Sequence, residues 1–353
     1  MRGARPPSAP TSPPDLASAF LDHFRAELHA PDLAYAAPPT AVSGGFDTRI
    51  FAIRLSGAPE PWSRPLILRV MNPAHDPARA LRERAIQNAL AAQAYPVPRV
   101  LAACADRGPL GAGFLVMERA PGRPLLDVRL RGVSATLAAE HARLHALDAE
   151  PLLRALDDEG RAAGGAFDRS AVDYGGHLGA LGRRVRRAGL TGLEPGLRWL
   201  LDRRPSGGPR VICHGDFHPQ NLLAEGGRVT AVLDWPNALV AEPECDVAAT
   251  LVILRATPVE LFPVPAVLRP LVAALRPIML ARYLACYRRT RALDAARLRY
   301  YEAAACMRGL VRAAEARVAG SANALDASSF GERLAARFAR TSGVPVALPP
   351  GRG

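Results

Sequence analysis

Apolar positions along the first third of the chain switch between two rhythms. From Asp15 to about His29 they fall at Leu16, Phe20, Phe24 and Leu28, a spacing that lines one face of a helix capped by Asp15. From Ala41 to Leu55 the pattern becomes strand, Gly-Gly, strand, and a third strand is expected at Leu66 to Val70. A helix is predicted from Asp76 to about Ala94, with Leu81, Ala85 and Leu90 as its apolar face, ended by Pro96 and Pro98. Two further strands follow near Val100 to Ala103 and Phe114 to Glu118. The GPLGAG loop between them is not a dinucleotide fingerprint, because no helix pattern follows it directly. After Gly122 and Pro124 helical spacing dominates: Ser134 to Leu147, Ala171 to Ala188, Gly192 to Leu201, a helix opening at Glu242 to Asp246, and amphipathic helices from Leu261 to Arg340. Two stretches break this run. Asp157 to Phe167 reads as a Gly-rich connection, and Val211 to Trp235 reads as a short buried strand, a polar loop, a Gly226-Gly227 hairpin turn and a returning strand, Val229 to Leu233.

Composition narrows the class. With 353 residues, 49% hydrophobic and 22% charged, the chain suits a soluble globular protein with room for two lobes. It contains no lysine, so all 45 basic residues are Arg, and the formal net charge is +12. The arginines are interleaved with acids and no aromatic-rich basic module is present, so neither a nucleic-acid nor a membrane partner is expected. Cys104, Cys213, Cys245, Cys286 and Cys306 form no CxxC pair, which argues against a disulfide framework or a zinc site and for a reducing compartment. The N-terminus lacks the continuous apolar core of a signal peptide. Arg269, Arg276 and Arg282 interrupt the most apolar later stretch before it reaches membrane length. A cytoplasmic protein is the reading.

The candidate chemistry sits in VICHGDFHPQNLLAEGGRVTAVLDW, Val211 to Trp235. Gly215 lets the backbone turn so that His214, Asp216 and His218 can converge. Asn221 follows Asp216 by five positions, and the returning strand ends at Asp234. One carboxylate, one carboxamide and a second carboxylate form the hard-oxygen set that a nucleotide-bound magnesium ion needs. In kinase-type phosphoryl transfer an Asp takes the acceptor proton, an Asn five residues later holds one metal and a later Asp bridges the metals. Asp216, Asn221 and Asp234 match in order. The competing reading is an ordinary hairpin whose Asp and Asn cap turns.

The same stretch resembles the catalytic loop of the aminoglycoside phosphotransferase and choline kinase-like family, small-molecule relatives of protein kinases. His-Gly-Asp stands where protein kinases carry His-Arg-Asp, and Asp234-Trp235 where they carry Asp-Phe-Gly. The resemblance implies an α+β, two-lobed protein-kinase-like fold: a small antiparallel β-sheet lobe with one helix, then a larger, mostly helical lobe. It divides the chain into a tail (residues 1–14), a nucleotide-binding lobe with its leading helix (15–117), a linker (118–124), a catalytic and acceptor-binding lobe (125–341) and a second tail (342–353). ATP or GTP with Mg2+ would be the cofactors, and a small-molecule hydroxyl the acceptor. Asp216 would be the catalytic residue. His214 reads as a buried residue orienting the loop, and His218 as either loop packing or a substrate or phosphate contact. Asn221 and Asp234 would hold the metal.

In the nucleotide-binding lobe, Ser43, Gly44 and Gly45 would cover the phosphates through backbone amides, although a Gly-Gly hairpin can simply be a turn. The third strand carries Arg69 where the family carries Lys; it keeps the charge but is bulkier and forked, and a solvent-facing strand Arg is the alternative. Glu83 is placed to pair with Arg69, or else belongs to an exposed charged face with Arg82 and Arg84. Met117 and Glu118 would offer main-chain groups to the adenine, and Asp246 would cap its helix and brace the catalytic loop. His141 and His145, at i and i+4, have a zinc-binding spacing, but no third ligand is evident and helix packing is favoured. From Val259 to Arg340 there are 14 Arg against 6 Asp plus Glu, few carboxylates for a polycationic acceptor, so a neutral or anionic hydroxyl substrate is expected. Two other classes stay open: a catalytically silent nucleotide-binding regulator, and a basic protein that binds anionic polymers.

Overall fold

The structure is a computed structural model that describes residues 13–42, 48–128, 132–261, 265–320 and 329–350. In chain order its elements begin with α1 (Pro13–Glu27), β1 (Ala34–Ala41), β2 (Thr48–Ser56), β3 (Leu66–Met71), α2 (Ala78–Ala92), β4 (Val100–Cys104) and β5 (Phe114–Glu118). There follow β6 (Arg123–Pro124), α3 (Leu125–Val128), α4 (Val133–Leu144), α5 (Glu150–Ala162), α6 (Tyr174–Arg187) and α7 (Glu194–Asp202). The rest comprises β7 (Val211–Cys213), β8 (Leu222–Glu225), β9 (Arg228–Val232), β10 (Leu239–Ala241), α8 (Pro243–Ala256), α9 (Arg269–Arg288), α10 (Ala295–Ala319) and α11 (Phe330–Ser342). The chain forms two compact units. One draws on Met1–Gly122, Glu150–Arg169 and Leu223–Pro236, the other on Arg123–Ala149, Ser170–Leu222 and Asn237–Gly353.

The first unit is built on an antiparallel sheet in the order β1-β2-β3-β5-β4. Alternation gives β3 two faces. Leu66, Leu68 and Val70 join Phe51, Ile53, Leu55, Phe114 and Val116 against Leu16, Phe20 and Phe24 of α1 and against Trp62. Each of these phenylalanines contributes about 1.5–3 kcal/mol by leaving water. The opposite face carries Ile67, Arg69 and Met71, and there Met71 packs with Ala80 of α2, Leu115 and Met117. Arg69 is thereby aimed at the helix that follows it.

Four expectations change. Helix α1 begins at Pro13, so Asp15 lies inside the helix and does not cap it. β1 begins at Ala34, before the Gly-Gly turn region, because Pro38 and Pro39 are tolerated on the sheet's outermost strand, where two register shifts absorb them. In α2 the predicted Ala85 and Leu90 are buried, together with Ala80, Glu83, Ile86, Gln87 and Ala89, while Leu81 is only half-buried. The stretch predicted as a Gly-rich connection is helical to Ala162: Leu152, Leu156 and Gly160 form one buried line, and a Cβ on Gly160 would lie 1.8 Å from the Phe167 carbonyl oxygen. Arg84 of α2 pairs with Glu159 of this helix.

The second unit is mostly helical. Its core joins Val185, Leu193, Leu200, Cys306, Met307, Leu310, Val311, Leu334 and Phe338 with the buried strand β7, which pairs antiparallel with β10 through Cys213 and Leu239. Asp294 caps α10 by accepting from the Arg297 amide at 2.7 Å, and α10 ends at Gly320 in the left-handed region. Helix α9 lies along α4, where the Ser134 hydroxyl donates to the Met279 carbonyl at 2.9 Å. No described helix is long and apolar enough to cross a membrane.

Candidate functional site

In the second unit, β7 delivers the chain into a loop whose backbone is held from several sides. Gly215 has φ +78°, and a Cβ there would stand 2.4 Å from the Asn237 carbonyl oxygen, so only glycine fits this turn. Asp246 accepts from the amides of His214 (2.5 Å) and Gly215 (2.8 Å). The Arg308 guanidinium donates to the Gly215 carbonyl at 2.5 Å, and the Thr250 hydroxyl to that of Phe217 at 2.8 Å. His214 is fully buried, and its Nδ1 accepts from the Asp216 amide at 3.1 Å. The Asn221 carboxamide donates to the Asp216 carbonyl at 3.0 Å.

The backbone around Asp216 is thus fixed while its carboxylate stays available: the side chain is 27% exposed, and His218 Nε2 lies 3.7 Å away. The oxygen of the Asn221 carboxamide accepts no hydrogen bond among the described residues.

Behind the loop lies a buried polar network. His141 and His145 face Asp246 Oδ2 with their Nε2 atoms at 2.9 and 3.3 Å. Their Nδ1 atoms meet the hydroxyls of Tyr283 (2.7 Å) and Tyr287 (2.6 Å) on α9. Asp246 is therefore the third ligand-type residue that the sequence did not reveal beside this histidine pair, and the three could in composition hold a metal. Each imidazole nitrogen, however, already faces a protein oxygen. An ionised carboxylate only accepts, so His145 Nε2 carries the proton it shares with Asp246 and both Nδ1 atoms take the tyrosine hydroxyls, while His141 Nε2 faces the same carboxylate oxygen outside hydrogen-bond geometry. Burial works against the Asp246 charge, but the two imidazoles and their hydrogen bonds outweigh it and hold its carboxyl well below the usual range. Burial, with His141 adjoining, lowers His145 to about 4. Asp246 sits inside the first turn of α8 and braces the loop; it does not cap the helix, whose N-cap residue is Glu242.

The first unit holds the other predicted residues. The Arg69 guanidinium donates to Glu83 Oε1 at 2.5 Å and to Asp234 Oδ1 at 2.7 Å, with Nε 3.4 Å from the Thr48 hydroxyl. Arg69 is 11% exposed and Glu83 1%, so Glu83 belongs to no exposed charged face. Burial would lower the Arg69 pKa, but Glu83 and Asp234 more than compensate and raise it; burial raises that of Glu83 against the pull of Arg69. Asp234 follows β9 with φ +68°, an uncommon conformation for a non-glycine residue. The buried Trp235 next to it donates to the Val232 carbonyl at 2.9 Å and meets Tyr95 edge to face. Met117 is buried at the end of β5, and the amide of Glu118 already donates to the Arg99 carbonyl at 2.9 Å. Ser43, Gly44 and Gly45 lie outside the described residues.

Arg308, Tyr283 and Tyr287 escaped the sequence reading. Arg308 is one of 14 arginines in its region, and neither tyrosine stands in a motif. The candidate donors in each unit are half-buried oxygens: Asp216 and Asn221 in one, Asp234 in the other, the last with its side chain 39% exposed. This donor chemistry fits a hard cation such as Mg2+.

Known proteins resemble this chain. A family model described as the phosphotransferase enzyme family matches residues 39–310. Among curated proteins, acyl-CoA dehydrogenase family member 10 of Mus musculus is 30% identical over 177 residues, 47% of this chain and 16% of that one. Aminoglycoside 3'-phosphotransferase of Streptomyces fradiae is 37% identical over 162 residues, 43% of this chain and 56% of that one. The chain thus spans from about one sixth to about half of these relatives. A solved thermostable mutant of aminoglycoside phosphotransferase APH(4)-Ia, in ternary complex with ADP and hygromycin B, superposes with a TM-score of 0.57 at 19% identity, covering 92% of this chain and 99% of that one.

Proposed function

Because the chain belongs to the phosphotransferase enzyme family, we propose that it moves the γ-phosphoryl group of ATP to a hydroxyl of a small molecule in the cytoplasm. One observation carries this reading: the backbone on both sides of Asp216 is pinned by Asp246, Arg308, Asn221 and His214, yet the Asp216 carboxylate is left open to a partner. A loop so held pre-positions one acceptor for a proton, which is what phosphoryl transfer to an alcohol requires. The solved relative that binds ADP and hygromycin B agrees with a nucleotide and a small hydroxylated acceptor.

Asp216 would accept the hydrogen bond of the acceptor hydroxyl and take its proton as the oxygen–phosphorus bond forms. Asn221 and Asp234 would hold magnesium, which when bound neutralises charge on the phosphates. Arg69, anchored by Glu83, would steady the phosphates, together with the amides of Ser43, Gly44 and Gly45. With the Glu118 amide engaged, the base would be met by other main-chain groups at Met117, Glu118 and beyond in the linker. His218 would assist at the phosphate or acceptor side. The arginine excess after Val259 favours a neutral or anionic acceptor.

A silent nucleotide-binding regulator is the second reading, favoured by the contact of Arg69 with Asp234. The test is magnesium-dependent consumption of ATP and GTP across aminoglycosides, macrolides, amino alcohols, sugars and nucleosides. Acceptor-dependent turnover that vanishes in Asp216→Asn, with nucleotide binding nearly intact, supports the kinase. Unchanged turnover in that variant refutes the role of Asp216.

A further inference from the structure

Arg69 spends its charge on two carboxylates of different standing. Glu83 is buried, its Oε1 takes the guanidinium, and its Oε2 has no hydrogen-bond partner among the described residues. Asp234 is far more exposed and holds the other arm through Oδ1 alone. Separating Arg69 from Glu83 would strand a buried charge, which proteins tolerate poorly, whereas separating it from Asp234 returns a carboxylate to water at small cost. The Glu83 arm is therefore the fixed one and the Asp234 arm the exchangeable one. A guanidinium fork can keep one arm on its buried partner while it trades the other.

We propose that Arg69 is a tethered counter-cation for Asp234: in the nucleotide-free chain its free arm occupies the carboxylate oxygen that a divalent ion needs, and phosphates must draw that arm away before the ion binds. The inference rests on the reading of Asp234 as a metal ligand. It makes divalent-ion binding conditional on nucleotide, through the forked side chain of Arg69. The positive φ of Asp234 suits such a pairing, since the residue is held in an uncommon backbone state with its carboxylate against Arg69.

The experiment is Mn2+ binding followed by electron paramagnetic resonance, with and without ADP, alongside calorimetric ADP binding. Wild-type protein should bind Mn2+ at least about tenfold more tightly when ADP is present, the size expected from moving one like charge away from the ion. Arg69→Met combined with Glu83→Gln, which leaves no buried unpaired carboxylate, should bind Mn2+ about tenfold more tightly than wild type without nucleotide. That gain should disappear when Asp234→Asn is added. Should the double variant fail to fold, Arg69→Gln retains a donor for Glu83 and should show the same gain. Nucleotide-free Mn2+ affinity unchanged or weaker in these variants overturns the proposal, as does a gain that survives Asp234→Asn. If wild type binds ADP and consumes ATP while the variants leave Mn2+ binding unchanged, this inference alone falls. If wild type binds no nucleotide, the phosphotransferase reading falls with it.

Discussion

Acidification should weaken the second unit through a single buried imidazole. His145 is enclosed by Asp246, His141, Tyr287 and the Arg291 guanidinium that donates to its own carbonyl, and it protonates only near pH 4 instead of 6.5. Between those values the unfolded chain binds a proton that the folded chain refuses, so stability is complete above about pH 6.5 and declines as the pH falls toward 4. The full span corresponds to about 3 kcal/mol, of which roughly 2.5 is reached by pH 4.5. Asp246 titrates below this window, since its lowered carboxyl loses stabilising charge only at more acidic pH. Buried Glu83 is common to wild type and variant and cancels in a difference. The assay is urea denaturation at pH 7, 6, 5 and 4.5 for wild type and His145→Gln, which can still donate toward Asp246 and accept from Tyr287. Wild type should be the more stable at pH 7, and the gap should narrow by about 2–3 kcal/mol at pH 4.5. Parallel curves would refute the assignment of a neutral, desolvated His145.

Two further substitutions probe how the catalytic loop is held. Asp246→Asn removes the charge that two amides and two imidazoles share, and should cost about 3–5 kcal/mol in denaturation free energy with turnover lost; wild-type stability in the variant would contradict the brace. Gly215→Ala forces a side chain into the left-handed region, at about 1–2 kcal/mol, and against the Asn237 carbonyl. Its kcat should fall steeply while calorimetric ADP binding persists, and an unaltered kcat would show that the turn relaxes.

The order of strands and helices in the first unit was legible because its rhythms are local. Leu66, Leu68 and Val70 alternate with Ile67, Arg69 and Met71, and the faces follow from that spacing alone. Arg69 and Glu83 could be paired by the same logic, a strand face meeting the next helix. Helix α5 was hidden because Gly160, Gly164 and Gly165 signal a loop, while the close packing that Gly160 permits is visible only in three dimensions. The loop motif from His214 to Asp234 was readable within a short stretch. The supports of Asp216 were less so: Asp246 stood in a family-like position, but its meeting with His145, 101 residues away, leaves no local trace. Arg308 is one arginine among many in a chain that uses no other long basic side chain. The contact between Arg69 and Asp234, 165 residues apart, depends on where β9 ends, which periodicity does not specify.

The irregular outer strand of the first unit has a consequence for the protein in a crowded solution. β1 lies at the margin of its sheet, where an unpaired ladder would invite a strand from a neighbouring molecule. Pro38 and Pro39 remove two consecutive amide donors there, and the shifts in register bend what remains. A second chain meets a broken template, so this margin discourages growth of the sheet from molecule to molecule.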